Sequence, residues 1–97
     1  IISNEPGYYK PGEYGIRIEN LVLVVDKPVT GGDKETLGFE TLTHVPIDKR
    51  LIDVSMLSDR ELQWLNDYHA EVLKIIGPQL SGEDKAWLER QCAPLRR

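Results

Sequence analysis

The sequence predicts an α+β chain, with antiparallel strands in its first half and two helices in its second. Two observations carry that expectation. Through residue 45 the apolar residues fall in short, β-branched blocks punctuated by Pro-Gly and Gly-Gly dipeptides, the pattern of strands joined by turns. From Ser58 onward the apolar spacing changes to threes and fours, the period of an amphipathic helix.

Taken in order, Ile1-Ile2-Ser3-Asn4-Glu5 reads as a strand that stops at Pro6, which cannot donate to a sheet ladder. Pro6-Gly7 and Lys10-Pro11-Gly12 are turn signals with Tyr8 and Tyr9 between them. Gly15 to Asp26 is expected to form one long strand. Alternation places Ile16, Ile18, Val22 and Val24 on one face, and Arg17 and Glu19 together on the other. Beyond Asn20 both faces are apolar, which predicts cover on both sides. Asp26 to Gly38, with Pro28 and Gly31-Gly32, reads as a surface hairpin loop in which Asp26, Asp33, Lys34 and Glu35 are solvated. Phe39 to Val45 is expected to return antiparallel, ending at Pro46. Ser58-Asp59-Arg60-Glu61 matches a capping box, and Leu62, Leu65, Tyr68, His69, Val72 and Ile76 continue a helix that Gly77-Pro78 stops. A shorter helix is expected from Ser81 to about Gln91.

Composition narrows the function classes. A chain of 97 residues buries only about 60–65% of its unfolded surface, so it is one small domain or a piece of a larger one. The start at Ile1, already inside a strand, suggests a fragment or processed chain. A net charge of −4 leaves no basic stripe to neutralise phosphates, which argues against nucleic acid. The longest apolar run, Leu21 to Val25, is too short to span a bilayer, and no secretory leader is visible. The single Cys92 cannot form an internal disulfide, which fits the cytoplasm, and it reads as a semi-buried side chain rather than a reactive thiol.

The candidates for chemistry are few. Glu5 and Glu19 lie on segments expected to neighbour each other, and two carboxylates facing one cleft can share divalent ions. On spacing alone, two acids fourteen residues apart are more often two solvated side chains. Arg17 is either an in-strand ion pair or a cation balancing the acids, and Tyr9 either a packed ring or a hydrogen-bond donor behind them. His44 and His69 have no two-histidine ligand spacing, and His69 falls beside the apolar helix stripe. Trp64, Tyr68 and Trp87 read as core anchors.

Two motifs decide between these readings. Ser-Asn-Glu-Pro-Gly-Tyr-Tyr at 3–9 and Gly-Ile-Arg-Ile-Glu-Asn at 15–20 resemble the last two metal-binding motifs of Xaa-Pro aminopeptidases (aminopeptidase P), members of the pita-bread metallopeptidase family. Residues 39–48 and the stretch Trp64-Leu65-Asn66-Asp67-Tyr68-His69 resemble the C-terminal extension of the longer, three-domain form. The resemblance implies that 1–48 are the C-terminal strands of a pita-bread catalytic domain and 49–97 a helical extension.

It further implies that Glu5 binds one metal and serves as general base, that Glu19 bridges two metals, and that Arg17 and Tyr9 stand in a hydrogen-bond relay behind them. The implied ions are two divalent metals, Mn²⁺ foremost with Co²⁺ or Zn²⁺ as alternatives. The implied reaction is release of the N-terminal residue from a peptide with proline second. The family's two aspartates and histidine lie upstream of its glutamates, and no Asp or His precedes Glu5 here. The chain alone is therefore expected to bind metal weakly or not at all and to be inactive. An unpaired sheet edge predicts homo-oligomers through strands 1–25. The alternatives are a non-catalytic pita-bread interaction module and a prolidase-like dipeptidase fragment, the latter disfavoured by the extension from Pro46 to Leu95.

Overall fold

The computed structural model describes residues 1–27 and 36–97, which form two compact units, Ile1–Thr43 and His44–Arg97. Most of the loop expected between Asp26 and Gly38, including Gly31-Gly32, Asp33, Lys34 and Glu35, lies outside the described residues.

The first unit is built on a hairpin with a gap in it. Strand β1 (Ile2–Asn4) pairs antiparallel with β4 (Asn20–Asp26), and β2 (Gly7–Lys10) pairs antiparallel with β3 (Tyr14–Arg17). The two pairings share one register: Asn4 faces Asn20 and Gly7 faces Arg17, so the same ladder resumes after a two-residue gap on each side. Proline explains the gap. Ile18 donates its N–H to the Pro6 carbonyl at 3.1 Å, but Pro6 has no N–H to return, so half of one hydrogen-bonded pair is missing. The hairpin tip is a turn over Lys10 to Glu13, closed by Glu13 N–H to Lys10 carbonyl at 3.0 Å. Pro11 takes the second position and Gly12, at φ 75°, the left-handed third, as a type II turn requires.

Strand β5 (Leu37–Thr41) completes a three-stranded sheet in the order β1-β4-β5, with Val24 opposite Phe39. The pairing is extended by the Leu42 N–H on the Leu21 carbonyl and by the Leu21 N–H on Thr43 Oγ1, both at 2.8 Å.

Four expectations about this unit are corrected. Pro6-Gly7 is no turn, since β2 begins at Gly7, and the long strand over 15–26 is broken at Ile18–Glu19. The returning strand ends at Thr41. The apolar run after Asn20 is not covered on both faces either: Val22 is buried at 8%, whereas Leu21 and Val24 are 46% and 42% exposed.

The second unit is helical. Helix α1 (Asp59–Ile76) begins at the capping box read in the sequence: the Glu61 N–H donates to Ser58 Oγ at 3.1 Å, and the Ser58 N–H donates to Glu61 Oε1 at 2.8 Å. Such a cap contributes about 1 kcal/mol. The helix ends where Pro78 removes a donor, and Gly77–Gln79 tighten into a 3₁₀ turn. Helix α2 (Gly82–Cys92) folds back on α1, and Tyr68, Val72, Leu88 and Cys92 form the core with Ile47, Leu73, Ile76 and Leu80 against it.

The segment before α1 is bound to the helix by two side chains from adjacent positions. Tyr68 Oη accepts from the Val45 N–H at 3.3 Å and donates to the Val45 carbonyl at 2.8 Å, while His69 Nε2 accepts from the Ile47 N–H at 3.1 Å. At the other end the Asn66 side chain pairs with both the N–H and the carbonyl of Leu95. Of the expected core anchors only Tyr68 is buried. Trp64 stacks on it at 5.5 Å yet is 54% exposed, and Trp87 is 49% exposed. Helical spacing puts a residue on a face, and both indoles fall on the rim of that face.

Candidate functional site

Carried across the gap, the common register sets Glu5 directly opposite Glu19. Because the flanking Pro6–Ile18 position holds the hydrogen bond, Glu5 and Glu19 fall at the alternate, closer-spaced kind of pair. Two carboxylates in that position repel each other. Arg17 offsets the repulsion from the same face: its Nε lies 3.3 Å from Glu19 Oε2 and 3.8 Å from Glu5 Oε2. Ser3 Oγ donates to the other Glu5 oxygen at 3.3 Å. All three charged side chains are roughly half-exposed, so the arrangement adds little to stability, within about 0–1 kcal/mol. Its consequence is geometric: two acids that would part are held at one place.

Tyr9 belongs to the same face, two residues beyond Gly7 and directly opposite Gly15. Its ring lies flat over both glycines. A Cβ at Gly15 would come 2.6 Å from Tyr9 Cδ1, and one at Gly7 would come 2.7 Å from its Oη. The phenol therefore points back along the hairpin, past Gly7, toward the end that carries Arg17 and the acids. Glu5, Arg17, Glu19 and Tyr9, the four residues singled out in the sequence, are thus brought onto one face of one hairpin. Sequence reading missed Gly7, Gly15 and Ser3; the recoverable signal was a glycine two residues before a tyrosine, with a second glycine where a hairpin partner would stand.

His69 serves the packing of the helical unit. His69 is fully buried, with Nε2 accepting from the Ile47 amide, which places its proton on Nδ1. Burial, and then the nearby Lys49 charge, push its pKa below the usual 6.5, so it stays neutral. Cys92 is buried at 4%, and burial raises its thiol pKa, as expected of an unreactive core residue.

A family model described as the C-terminal region of peptidase M24 matches residues 35–95. The chain belongs to the C-terminal region of the M24 peptidases. M24 relatives of known name extend the match across the hairpin. "Probable Xaa-Pro aminopeptidase P" of Laccaria bicolor is 52% identical over 97% of this chain, and the protein of the same name from Coprinopsis cinerea is 50% identical over 97%. The chain spans only 15% and 16% of their lengths.

Among solved structures, X-prolyl aminopeptidase from Caenorhabditis elegans, described as a cytosolic enzyme with a di-nuclear active site, superposes with a TM-score of 0.84 at 41% identity. That match covers 96% of this chain and 16% of the nematode chain. The α+β, pita-bread reading of the M24 chain therefore holds, with antiparallel strands followed by two helices. None of the described helices is long and apolar enough to cross a membrane.

Proposed function

We propose that the chain is the C-terminal part of a metal-dependent Xaa-Pro aminopeptidase, a cytoplasmic enzyme that releases the N-terminal residue from peptides with proline second. Residues 1–48 then supply the last strands of its catalytic domain and 49–97 a helical extension. The observation that supports this most is the register that opposes Glu5 and Glu19 around Arg17, in a chain half identical to proteins of that name.

The pair fits hard divalent ions, since carboxylate oxygens are their preferred donors. It fits as part of a site: among the described residues no group of three or more His, Cys, Asp or Glu could hold a metal. Glu5 and Glu19 would hold two ions, Mn²⁺ foremost with Co²⁺ or Zn²⁺ as alternatives, together with ligands from outside the chain. When bound, such ions polarise a carbonyl and make water acidic enough to act as a nucleophile near neutral pH.

The chain's own residues then do three things. Glu5 takes the proton of the attacking water and passes it to the departing proline nitrogen. Arg17 keeps Glu19 and Glu5 close enough to act on one centre by offsetting their mutual repulsion. Tyr9 lends its hydroxyl to the acids from the Gly7 side.

The isolated chain lacks the remaining ligands and is read as inactive. Purified chain with Mn²⁺ is expected to leave a Xaa-Pro peptide intact and to show only weak Mn²⁺ binding by calorimetry, abolished in Glu5→Gln. Turnover, or Mn²⁺ binding unchanged in Glu5→Gln, would overturn the reading.

A further inference from the structure

The second unit carries a groove unrelated to the acids. It has a volume of about 570 Å³ and lies between the segment around Asp48 and the C-terminal turns of α2. Trp87, Arg90 and Gln91 come from α2 at helical spacing, so they share one face of that helix. Pro46 and the pair Lys49 and Arg50 form the facing wall.

Charge here runs against the rest of the molecule. The chain carries a net −4, yet the groove has three cations to the single carboxylate of Asp48. That carboxylate is already used. Arg50 Nη2 holds it at 2.8 Å, and the Arg50 guanidinium keeps its pKa down to about 2. Lys49 is fixed differently: its Nζ donates to the Arg90 carbonyl at 2.7 Å and to the Ala93 carbonyl at 3.4 Å, at the C-terminal end of α2. It thereby cancels the negative end of the helix dipole, which would otherwise repel an anion. The Arg90 guanidinium pairs with no carboxylate among the described residues. Beside it stands Trp87, half-exposed, with Pro46 across the gap.

An indole and a proline ring as walls suit a proline-bearing extended chain, because such a chain is preorganised and presents flat apolar faces. A free arginine fork next to them suits a carboxylate held by two bonds. We propose that this groove binds an acidic, proline-containing peptide segment, with a proline ring on Trp87 and a carboxylate on Arg90. The proposal is independent of the metal site and survives or fails without it.

The test uses the whole chain carrying Trp64→Phe, so that Trp87 is the only indole. The probe is the peptide Ac-Glu-Pro-Glu-Pro-Glu-amide, with its all-Gln counterpart and inorganic sulfate as comparisons. The expected result is a saturable change in Trp87 fluorescence with the Glu peptide at low salt, weakened by about tenfold or more in Arg90→Gln and by added salt. Circular dichroism checks that Arg90→Gln keeps its helices, and Arg90→Lys, which preserves charge without the fork, is expected to fall between. The proposal is overturned by no saturable change, by equal binding of the Gln peptide, or by binding untouched in a folded Arg90→Gln chain. Displacement of the peptide by sulfate at equal concentration also overturns it, by reducing the groove to a general anion site.

Discussion

Arg17 shows how one side chain converts an unfavourable pair into a usable one. Its Nε is closer to Glu19 than to Glu5, 3.3 Å against 3.8 Å, so Glu19 is the more firmly held of the two. The alternation of a strand was enough to place Arg17 and Glu19 together in the sequence, and the structure brings them together even though the strand breaks between them. The placement of Tyr9 needed more. It rests on two glycines whose significance depends on the register, and register is not visible in one strand alone.

Gly15→Ala tests this placement. The added Cβ would come 2.6 Å from Tyr9 Cδ1, so the ring is expected to leave both glycines. Loss of the nuclear Overhauser contacts from the Tyr9 ring to the Gly7 Hα would report it. Persistence of those contacts would show that the glycines do not govern the ring.

At the scale of elements, the helix was legible because each of its signals is local. A capping box, a stripe at threes and fours and a Gly-Pro stop lie within a few residues of where they act, and α1 runs between them. The broken hairpin was not legible for the opposite reason. Pro6 reads locally as an end, but the strand resumes because β3 across the ladder holds it in register. Exposure of Trp64 and Trp87 was hidden likewise, since periodicity assigns a face without saying how far the face is covered.

The joint between Ile47 and α1 makes a pH prediction. His69 has a folded pKa below its unfolded one, so the unfolded chain gains a proton first as the pH falls. The stability that neutral His69 contributes is complete above about pH 6.5 and is lost as the pH drops below it. Protonation also turns Nε2 from acceptor to donor and breaks the bond to the Ile47 amide. Asp48, held down to about 2, acts in the same direction in a separate, more acidic window. By nuclear magnetic resonance the His69 imidazole is expected to keep its neutral signature below pH 6.5; a midpoint at or above that value would contradict the buried, accepting geometry.

For the whole molecule, the apolar residues left open on the sheet are the most informative feature. Ile2, Leu21, Val24, Leu37 and Phe39 are all exposed, a run of apolar side chains suited to association. We expect the purified chain to associate through this sheet, giving sedimentation that rises in mass with concentration. A monomer at all concentrations would count against that. The same exposure fits a chain that spans only 15–16% of the relatives it matches.

The central claim is that Glu5 and Glu19 serve a peptidase centre completed from outside this chain. Its most direct test is a chimera in which this chain replaces the matching segment of the Caenorhabditis elegans X-prolyl aminopeptidase. The chimera is expected to cleave a Xaa-Pro peptide, and Glu5→Gln within it to lower kcat by about 10²–10⁴-fold, the range of a lost general base. A folded chimera whose activity is untouched by Glu5→Gln would contradict the account.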